Sequence, residues 1–259
     1  MSRSNPTESL QNPATRFIEW SGSEGKFKYY DKEKKENVFI NLPFAFIPLD
    51  ILSTTKGYDE KTGLGFYSNE IRNTKIDLLT VRTKNGIVMT GLYEDVKDKL
   101  YSKGLDYVQS VYVAIKEGKS YVLANLQLKG SALGPFIEFL KGKKWSEIAV
   151  KVGEAKAAKK GATKYFEPVY TELKVSEEAN KIAIELDIEL QEYLTGYFAK
   201  NAGAVATEKT DDNQDNGLNK TSAEPKKDAP KKAAAKKEEV EEENDIVFDP
   251  NAADDSDMF

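Results

Sequence analysis

The sequence contains no cysteine and no histidine. Without cysteine the chain has no disulfide framework and no thiolate that could bind a metal or attack a substrate. Without histidine it lacks the usual general base near neutral pH and the commonest metal ligand. These absences exclude Ser-His and Cys-His nucleophilic catalysis, and they exclude zinc sites built on imidazole or thiolate ligands.

Long apolar runs are also missing. The longest one, residues 42–49, is interrupted by Pro43 and Pro48 and is too short to span a bilayer. Residues 1–6 are polar and lack the apolar core of a signal peptide. We therefore expect a soluble cytoplasmic protein with no membrane partner.

Charge divides the chain into a body and an appendage. Residues 1–199 hold 29 Lys and Arg against 27 Asp and Glu, whereas residues 200–259 hold 9 against 16. Segments rich in charge and poor in large apolar residues cannot offset the entropy of ordering. We expect a flexible N-terminal arm over residues 1–13, a folded domain over 14–199, and a disordered linker and acidic tail over 200–259.

The body has the residue pattern of a mainly β protein. Asn85-Gly86 between two apolar runs is a strong hairpin signal, and residues 106–116 and 119–129 form a second hairpin around Glu117-Gly118. The two prolines favour an edge strand or a bend over residues 43–52, and the glycines of residues 56–69 favour a long loop.

We predict an OB-like Greek-key barrel enlarged by long hairpins, with short helices. A β-sandwich fits the pattern as well. Ser176 is a candidate cap for a C-terminal helix that ends near Lys200 and packs one face on the body, because apolar residues from Ile182 to Tyr197 recur at helical spacing.

No cofactor or metal site is expected. Gly118-Lys119-Ser120 lacks the earlier glycine of a phosphate-binding loop, because Val113 occupies that position. Carboxylates of the 59–77 region could in principle hold magnesium, but their spacing matches no known site, and such side chains are usually solvated. The nearest cluster comprises Asp59, Glu60, Glu70 and Asp77. We expect a binding protein and not an enzyme.

Basic and aromatic residues alternate at several places, as in surfaces that hold single strands by stacking and by phosphate contacts. In the strand Lys26 to Tyr30, alternation turns Phe27 and Tyr29 inward and exposes Tyr30 between lysines. The alternative is that these rings all pack in or around the core. This group contributes Lys26, Lys28 and Tyr30 as candidate DNA contacts.

Three further groups share this character. Residues 141–145 place a tryptophan after three lysines, residues 153–162 read as a lysine-rich loop bounded by glycines, and residues 72–84 carry four cations. Packing of the tryptophan, an ordinary mobile loop and solvated charge are the alternatives. The candidate contacts are Lys141, Lys143, Lys144, Trp145, Lys156, Lys159, Lys160, Lys164, Tyr165, Arg72, Lys75, Arg82 and Lys84.

The chain ends Asp254-Asp255-Ser256-Asp257-Met258-Phe259, an acidic tip with two apolar residues. Over these six residues it resembles the end of bacterial single-stranded-DNA-binding proteins, which read Asp-Asp-Asp-Ile-Pro-Phe, and Met258 stands where they have proline. Similar acidic tails occur on the single-stranded-DNA-binding proteins of tailed phages. The resemblance implies an OB fold and a tail that competes for the DNA groove and recruits replication or recombination proteins.

Together these features predict a protein that coats single-stranded DNA in replication and recombination, in a host bacterial cytoplasm if the protein is phage-encoded. The partner-binding tip would comprise Asp254, Asp255, Asp257, Met258 and Phe259. A β-sandwich protein–protein adaptor and a metal-dependent nucleic-acid enzyme are the alternatives, and homo-oligomerisation is left open.

Overall fold

The computed structural model describes residues 11–59 and 62–208 of the 259-residue chain, with side chains up to Asn201. Most of the predicted N-terminal arm and acidic tail lies outside these residues. The strands and helices in chain order are β1 (Arg16–Ser21), β2 (Lys26–Asp31), β3 (Glu36–Ile40), β4 (Phe44–Asp59), β5 (Leu64–Ser68), β6 (Leu79–Thr83), β7 (Gly86–Gly91), α1 (Tyr93–Ser102), β8 (Leu105–Glu117), β9 (Ser120–Leu128), α2 (Leu133–Leu140), β10 (Ile148–Lys160), β11 (Thr163–Lys174) and α3 (Glu177–Glu208).

All eleven strands of the described residues belong to one mixed sheet. Its main order is β3-β2-β1-β9-β8-β4-β5-β6-β7, and β10 pairs with both β4 and β11. Every pairing is antiparallel except that between β1 and β9. The prediction of a mainly β fold with a C-terminal helix is confirmed.

Strand β4 lies at the centre of this sheet and bears on two expectations. It pairs with β10 over residues 44–46 and with β8 from Phe46 onward, and its pairing with β5 begins only at Lys56. Residues 47–52 are therefore paired on one side alone, so the expected edge strand or bend over residues 43–52 agrees with them and fails at Phe46, which is paired on both sides. The ladder tolerates Pro48 because its register shifts between Pro48 and Asp50, at a β-bulge, where a missing N–H is acceptable.

The predicted long loop over residues 56–69 is wrong, because β4 continues to Asp59 and β5 begins at Leu64. The glycine at position 57 does not make a loop flexible. It allows the backbone of residues 104–105 to pass close to β4. A Cβ atom on Gly57 would lie 2.5 Å from the Gly104 carbonyl oxygen and 2.8 Å from the Leu105 Cα atom, so a side chain does not fit there.

The main core lies between the curled sheet and α2. Phe27, Phe46 and Phe136 are almost completely buried in it, and burial of one such side chain stabilises the fold by about 1.5–3 kcal/mol. The sheet curls until β11 meets the β1–β2 turn. There the Phe166 N–H donates to the Gly22 carbonyl at 2.8 Å, and the Trp20 indole N–H donates to the Phe166 carbonyl at 2.9 Å.

Helix α3 packs on the other face of the sheet. Leu190 and Leu194 bury against Leu52 and Tyr112, and the predicted cap is confirmed, since the Ser176 hydroxyl accepts from the Ala179 N–H at 3.2 Å. The helix continues to Glu208, past its expected end near Lys200. Within the described part of the chain, no helix is long and apolar enough to cross a membrane.

Candidate nucleic-acid interface

Five exposed aromatic rings share one face of the sheet. Alternate residues of a strand point to the same side, and the register places the five rings on the side of the sheet that α3 also packs on. Helix α3 covers this side at Tyr112 and Leu123, and the rings lie where it leaves the strands uncovered. The rings are between 45% and 61% exposed. We call this surface the aromatic face and define it by Phe17, Tyr30, Phe39, Tyr58 and Tyr67. Exposed rings in such a row offer platforms on which bases can stack.

Cations stand among these rings. Lys28 opposes Phe39 in the β2–β3 register and forms an ion pair of 3.0 Å with Glu19. The Lys56 ammonium lies 6.0 Å from the centre of the Phe17 ring. Burial lowers the pKa of Lys56, while the nearby Glu70 and Glu19 carboxylates raise it. Rings and cations in contact can receive a base and its phosphate together.

The predicted directions of the β2 side chains agree with this arrangement. Phe27 is completely buried and Tyr29 is half-buried against the main core, whereas Tyr30 is 57% exposed. Lys26 is exposed, and its ammonium donates to the Asn41 side-chain oxygen at 3.2 Å. The first predicted group therefore lies on or beside the aromatic face.

The expected lysine-rich loop over residues 153–162 is wrong, because β10 and β11 extend through it. Only Gly161 and Ala162 form the turn, and Gly161 supplies a positive φ of 58°. The residues between the lysines of β10 are alanines, which have short side chains. The two strands pair with each other as far as Lys160 and Thr163. We call its tip the basic hairpin and define it by the exposed residues Lys156, Lys159, Lys160 and Lys164.

Three of the four lysines of the basic hairpin, Lys159, Lys160 and Lys164, have no acidic residue opposite them, whereas Lys156 opposes Glu167. Lys159 directly opposes Lys164 across the two strands. Within residues 11–59 and 62–201, none of the four lysines forms an ion pair. Tyr165 is half-buried beside Lys164, and the next residue, Phe166, donates its N–H to the Gly22 carbonyl of the β1–β2 turn. The hairpin is thus anchored at the end of β1 and β2, next to Lys26.

The lysines of residues 141–145, unlike those of the basic hairpin, form ion pairs. Each one pairs with a carboxylate: Lys141 with Glu138 at 2.9 Å, Lys143 with Glu172 at 3.0 Å and Lys144 with Glu147 at 3.4 Å. Trp145 is half-buried and packs against the main core. This group is on the surface, but its charge is balanced and its ring is engaged in packing.

The group of residues 72–84 divides into two. Both guanidinium nitrogens of Arg72 donate to the buried Asp50 carboxylate, at 3.0 and 2.8 Å, so Arg72 connects β4 to the loop before β6. Lys75 lies exposed in that loop. Arg82 faces the same side as Tyr67, its β5 partner, and Lys84 is exposed in the β6–β7 turn.

The carboxylates considered for magnesium are separated by the fold. Glu70 accepts from the Ser110 and Tyr112 hydroxyls, Asp59 accepts from Thr62, and Asp77 accepts from two backbone N–H groups. Burial raises the pKa of Glu70, although those two hydroxyl bonds lower it. Glu60 lies outside the described residues, and the described ones contain no group of three or more acidic residues able to hold a metal ion.

Sequence reasoning missed Phe17, Phe39, Tyr58, Tyr67 and Lys56. The alternation of side chains along a strand could have identified Phe17, because its neighbour Ile18 is buried and the two side chains point to opposite sides. Tyr58 and Tyr67 escaped because their segment was interpreted as a loop.

The predicted partner-binding tip, Asp254 to Phe259, lies outside the described residues. The chain matches no protein-family model, no curated protein and no solved structure.

Proposed function

We propose that the protein binds single-stranded DNA across the aromatic face and holds it with the basic hairpin. The observation that carries the proposal is the row of five exposed rings on one side of one sheet. Exposed aromatic rings are costly to leave in water, and unpaired bases are their natural stacking partners. The role is binding and protection, without catalysis, in replication and recombination.

Stacking and phosphate contacts supply different parts of the affinity. Each stacked base contributes about 1–3 kcal/mol and depends little on base identity, since every base has a π face. Each phosphate contact releases counterions, so the logarithm of the binding constant falls with log salt by about 0.7 per neutralised phosphate. The lysines of the basic hairpin, which form no ion pair among the described residues, make a strong salt dependence the expected behaviour.

The connectivity supports an OB-type barrel. In the order β4, β8, β9, α2, β10, β11, the long first strand pairs with both the second and the fourth, and α2 connects the third to the fourth. OB folds bind oligonucleotides on the face of their second and third strands and with the loop between the fourth and fifth. In this correspondence β8 and β9 lie between the rings of β1 and those of β4 and β5, with α3 covering their outer side at Tyr112 and Leu123, and the basic hairpin corresponds to that loop.

The acidic tail completes the proposal. Residues 209–259 carry 8 lysines against 15 acidic residues, so their net charge is −7. Tethering keeps such a segment at high effective concentration near the cationic interface, where it competes with DNA. A strand that occupies the interface releases the tip, and Met258 and Phe259 then engage a replication or recombination protein.

Anisotropy of fluorescein-labelled oligo-dT tests the proposal directly. We expect saturable binding that weakens steeply between 50 and 200 mM salt, as is typical of proteins that contact many phosphates. Duplex DNA of the same sequence serves as the comparison, and matched RNA tests the preference between nucleic acids. Absence of salt-sensitive binding to oligo-dT would instead favour the adaptor, and magnesium-dependent cleavage would favour the enzyme.

A further inference from the structure

Helix α3 carries unbalanced negative charge over its first part. Residues 177–192 contain six acidic residues and one lysine, whereas residues 193–207 contain no acidic residue. Within residues 11–59 and 62–201, the exposed carboxylates of this first part form no ion pair. They belong to Glu177, Glu178, Glu185, Glu189 and Glu192. Because α3 packs on the side of the sheet that bears the aromatic face, this charge stands beside the proposed interface.

One flank of the helix faces β9 and the start of β1. Tyr193 belongs to that flank, since it packs in the cluster that contains Ala14 and Leu123. Glu189 lies four residues before Tyr193 and three before Glu192, so these side chains are neighbours on the helix surface. We call Glu189 and Glu192 the acidic flank.

The acidic flank stands close to the rings of β1 and β2. The helix packs on Leu123 of β9, and β1 is bonded to the same residue, because the Thr15 N–H donates to the Leu123 carbonyl at 2.9 Å. Adjacent strands lie about 4.8 Å apart, so Phe17 on β1 and Tyr30 on β2 are about one and two strand spacings away. Exposed charges act over about 10 Å at 0.1 M salt. A phosphate held at these rings is therefore within range of the flank.

Cations stand at the other end of these two strands. Lys26 is exposed at the start of β2, on the same side as Tyr30. The basic hairpin is anchored beside it, where the Phe166 N–H donates to the Gly22 carbonyl. A bound strand thus lies between a negative helix and a positive hairpin, and a single strand can turn its phosphates toward the lysines.

We propose that the acidic flank of α3 excludes duplex DNA and so makes the interface selective for single strands. The inference rests on the proposed function and names what determines its specificity. The flank is not a binding site, because it acts by repulsion. A duplex carries one charge per about 1.7 Å of its axis, against about 3.4 Å for one strand. Phosphates of a duplex surround its axis, so some of them must face the helix, and like charges brought together disfavour that partner.

The variant Glu189→Gln/Glu192→Gln tests the flank in the full-length protein. It removes two charges and keeps the length and the helix propensity of both side chains. Wild type and variant are titrated with labelled oligo-dT and with the same oligonucleotide paired to its complement, at about 50 mM salt. We expect the variant to bind the duplex about 5-fold more tightly and to change its oligo-dT affinity by less than about 2-fold, because the duplex alone must present phosphates to the flank. The gain should disappear at about 0.3 M salt, where screening is stronger.

Asp95→Asn/Asp98→Asn is the matched control, because it makes the same change in net charge at two exposed positions of α1. Helix α1 packs against Val81, which points to the opposite side of β6 from Arg82 and hence away from the aromatic face. An effect of net charge alone appears in both variants, so the difference between them isolates the flank. Circular dichroism and the urea midpoint establish that each variant is folded.

The measured quantity is the ratio of duplex affinity to oligo-dT affinity. A ratio that rises in the flank variant and stays at the wild-type value in the α1 variant supports the proposed selectivity. A ratio that changes equally in both variants, or in neither, would overturn it while leaving single-strand binding intact. Failure of wild type to bind oligo-dT would instead overturn the proposed function.

Discussion

Lys159 and Lys164 face each other directly across the β10–β11 hairpin. Like charges in opposed positions destabilise a strand pair by up to about 1 kcal/mol. No described carboxylate forms an ion pair with either lysine, although Lys141, Lys143 and Lys144 have such partners. A repulsive pair at the tip of an otherwise regular hairpin is explained if a polyanion lies between or over the two side chains.

The double variant Lys159→Thr/Lys164→Thr should separate stability from binding. Removal of the repulsion leaves the urea midpoint unchanged or higher, while loss of two phosphate contacts lowers the salt slope of oligo-dT binding by about 1.4. The control, Lys143→Thr/Lys144→Thr, removes two compensated lysines and should change the slope less. Equal slopes for wild type and the hairpin variant would exclude the hairpin from the interface.

Arg72→Ala tests a structural role for a residue that the sequence placed among DNA contacts. The substitution leaves the buried Asp50 carboxylate with Gln191 as its remaining side-chain partner. We expect a loss of about 2 kcal/mol in the free energy of unfolding, less than the 3–5 kcal/mol of a fully buried pair, because Arg72 is 44% exposed.

Urea denaturation measures that loss, and oligo-dT binding at a temperature where the variant is folded measures function. Arg82→Ala is the comparison on the aromatic face. A variant of Arg72 with unchanged stability and weakened binding would contradict the structural role and restore Arg72 to the interface.

Glu70 should make stability depend on pH. Burial raises its pKa above the ordinary value of 4.5, so the folded state holds the proton to higher pH than the unfolded state. The free energy of unfolding therefore falls as pH rises from about 4.5 through the raised pKa, and the contribution is constant below that window. Glu70→Gln cannot titrate and should lack this fall.

Urea denaturation at a series of pH values measures both proteins, and the difference between wild type and Glu70→Gln isolates the one carboxyl. Asp77→Asn is a suitable control, because Asp77 accepts backbone N–H groups at a more exposed position. A difference that does not vary with pH above 4.5 would show that Glu70 ionises normally in the folded protein.

Truncation after Glu208 keeps α3 and removes the acidic segment of net charge −7. At 50 mM salt the truncated protein should bind oligo-dT more tightly than the full chain, because the competing segment is gone. The difference should shrink at 0.3 M salt as screening shortens the range of the tail's attraction. Tight binding by both proteins at low salt, with identical constants, would refute autoinhibition.

Local sequence signals predicted most of the strands. They also predicted the hairpin turns at Asn85-Gly86 and Glu117-Gly118. The Asn85-Gly86 turn and the Ser176 cap were found because each depends on a few adjacent residues. The expected loop over residues 56–69 was wrong, because Gly57 acts through a contact with a distant strand. Pro48 sits at a bulge in the ladder to β8, and Gly57 admits the backbone of residues 104–105.

The candidate interface could be predicted only in part. The lysines of residues 156–164 stood out by composition, yet their arrangement as opposed pairs on a hairpin depends on strand register. Arg72 appeared as a surface cation, and only its distance to Asp50 gives it a structural role.

The sequence by itself determined the mainly β class, the absence of thiol and imidazole chemistry, and the separation of a nearly neutral body from an acidic tail. These properties follow from composition and from short-range periodicity. The tertiary structure decided which rings remain exposed and which lysines remain unpaired, because β1, β4 and β5 meet on one face only through pairings between distant residues. A side chain's exposure is set by the strands beside its own, and those neighbours are chosen by the whole fold.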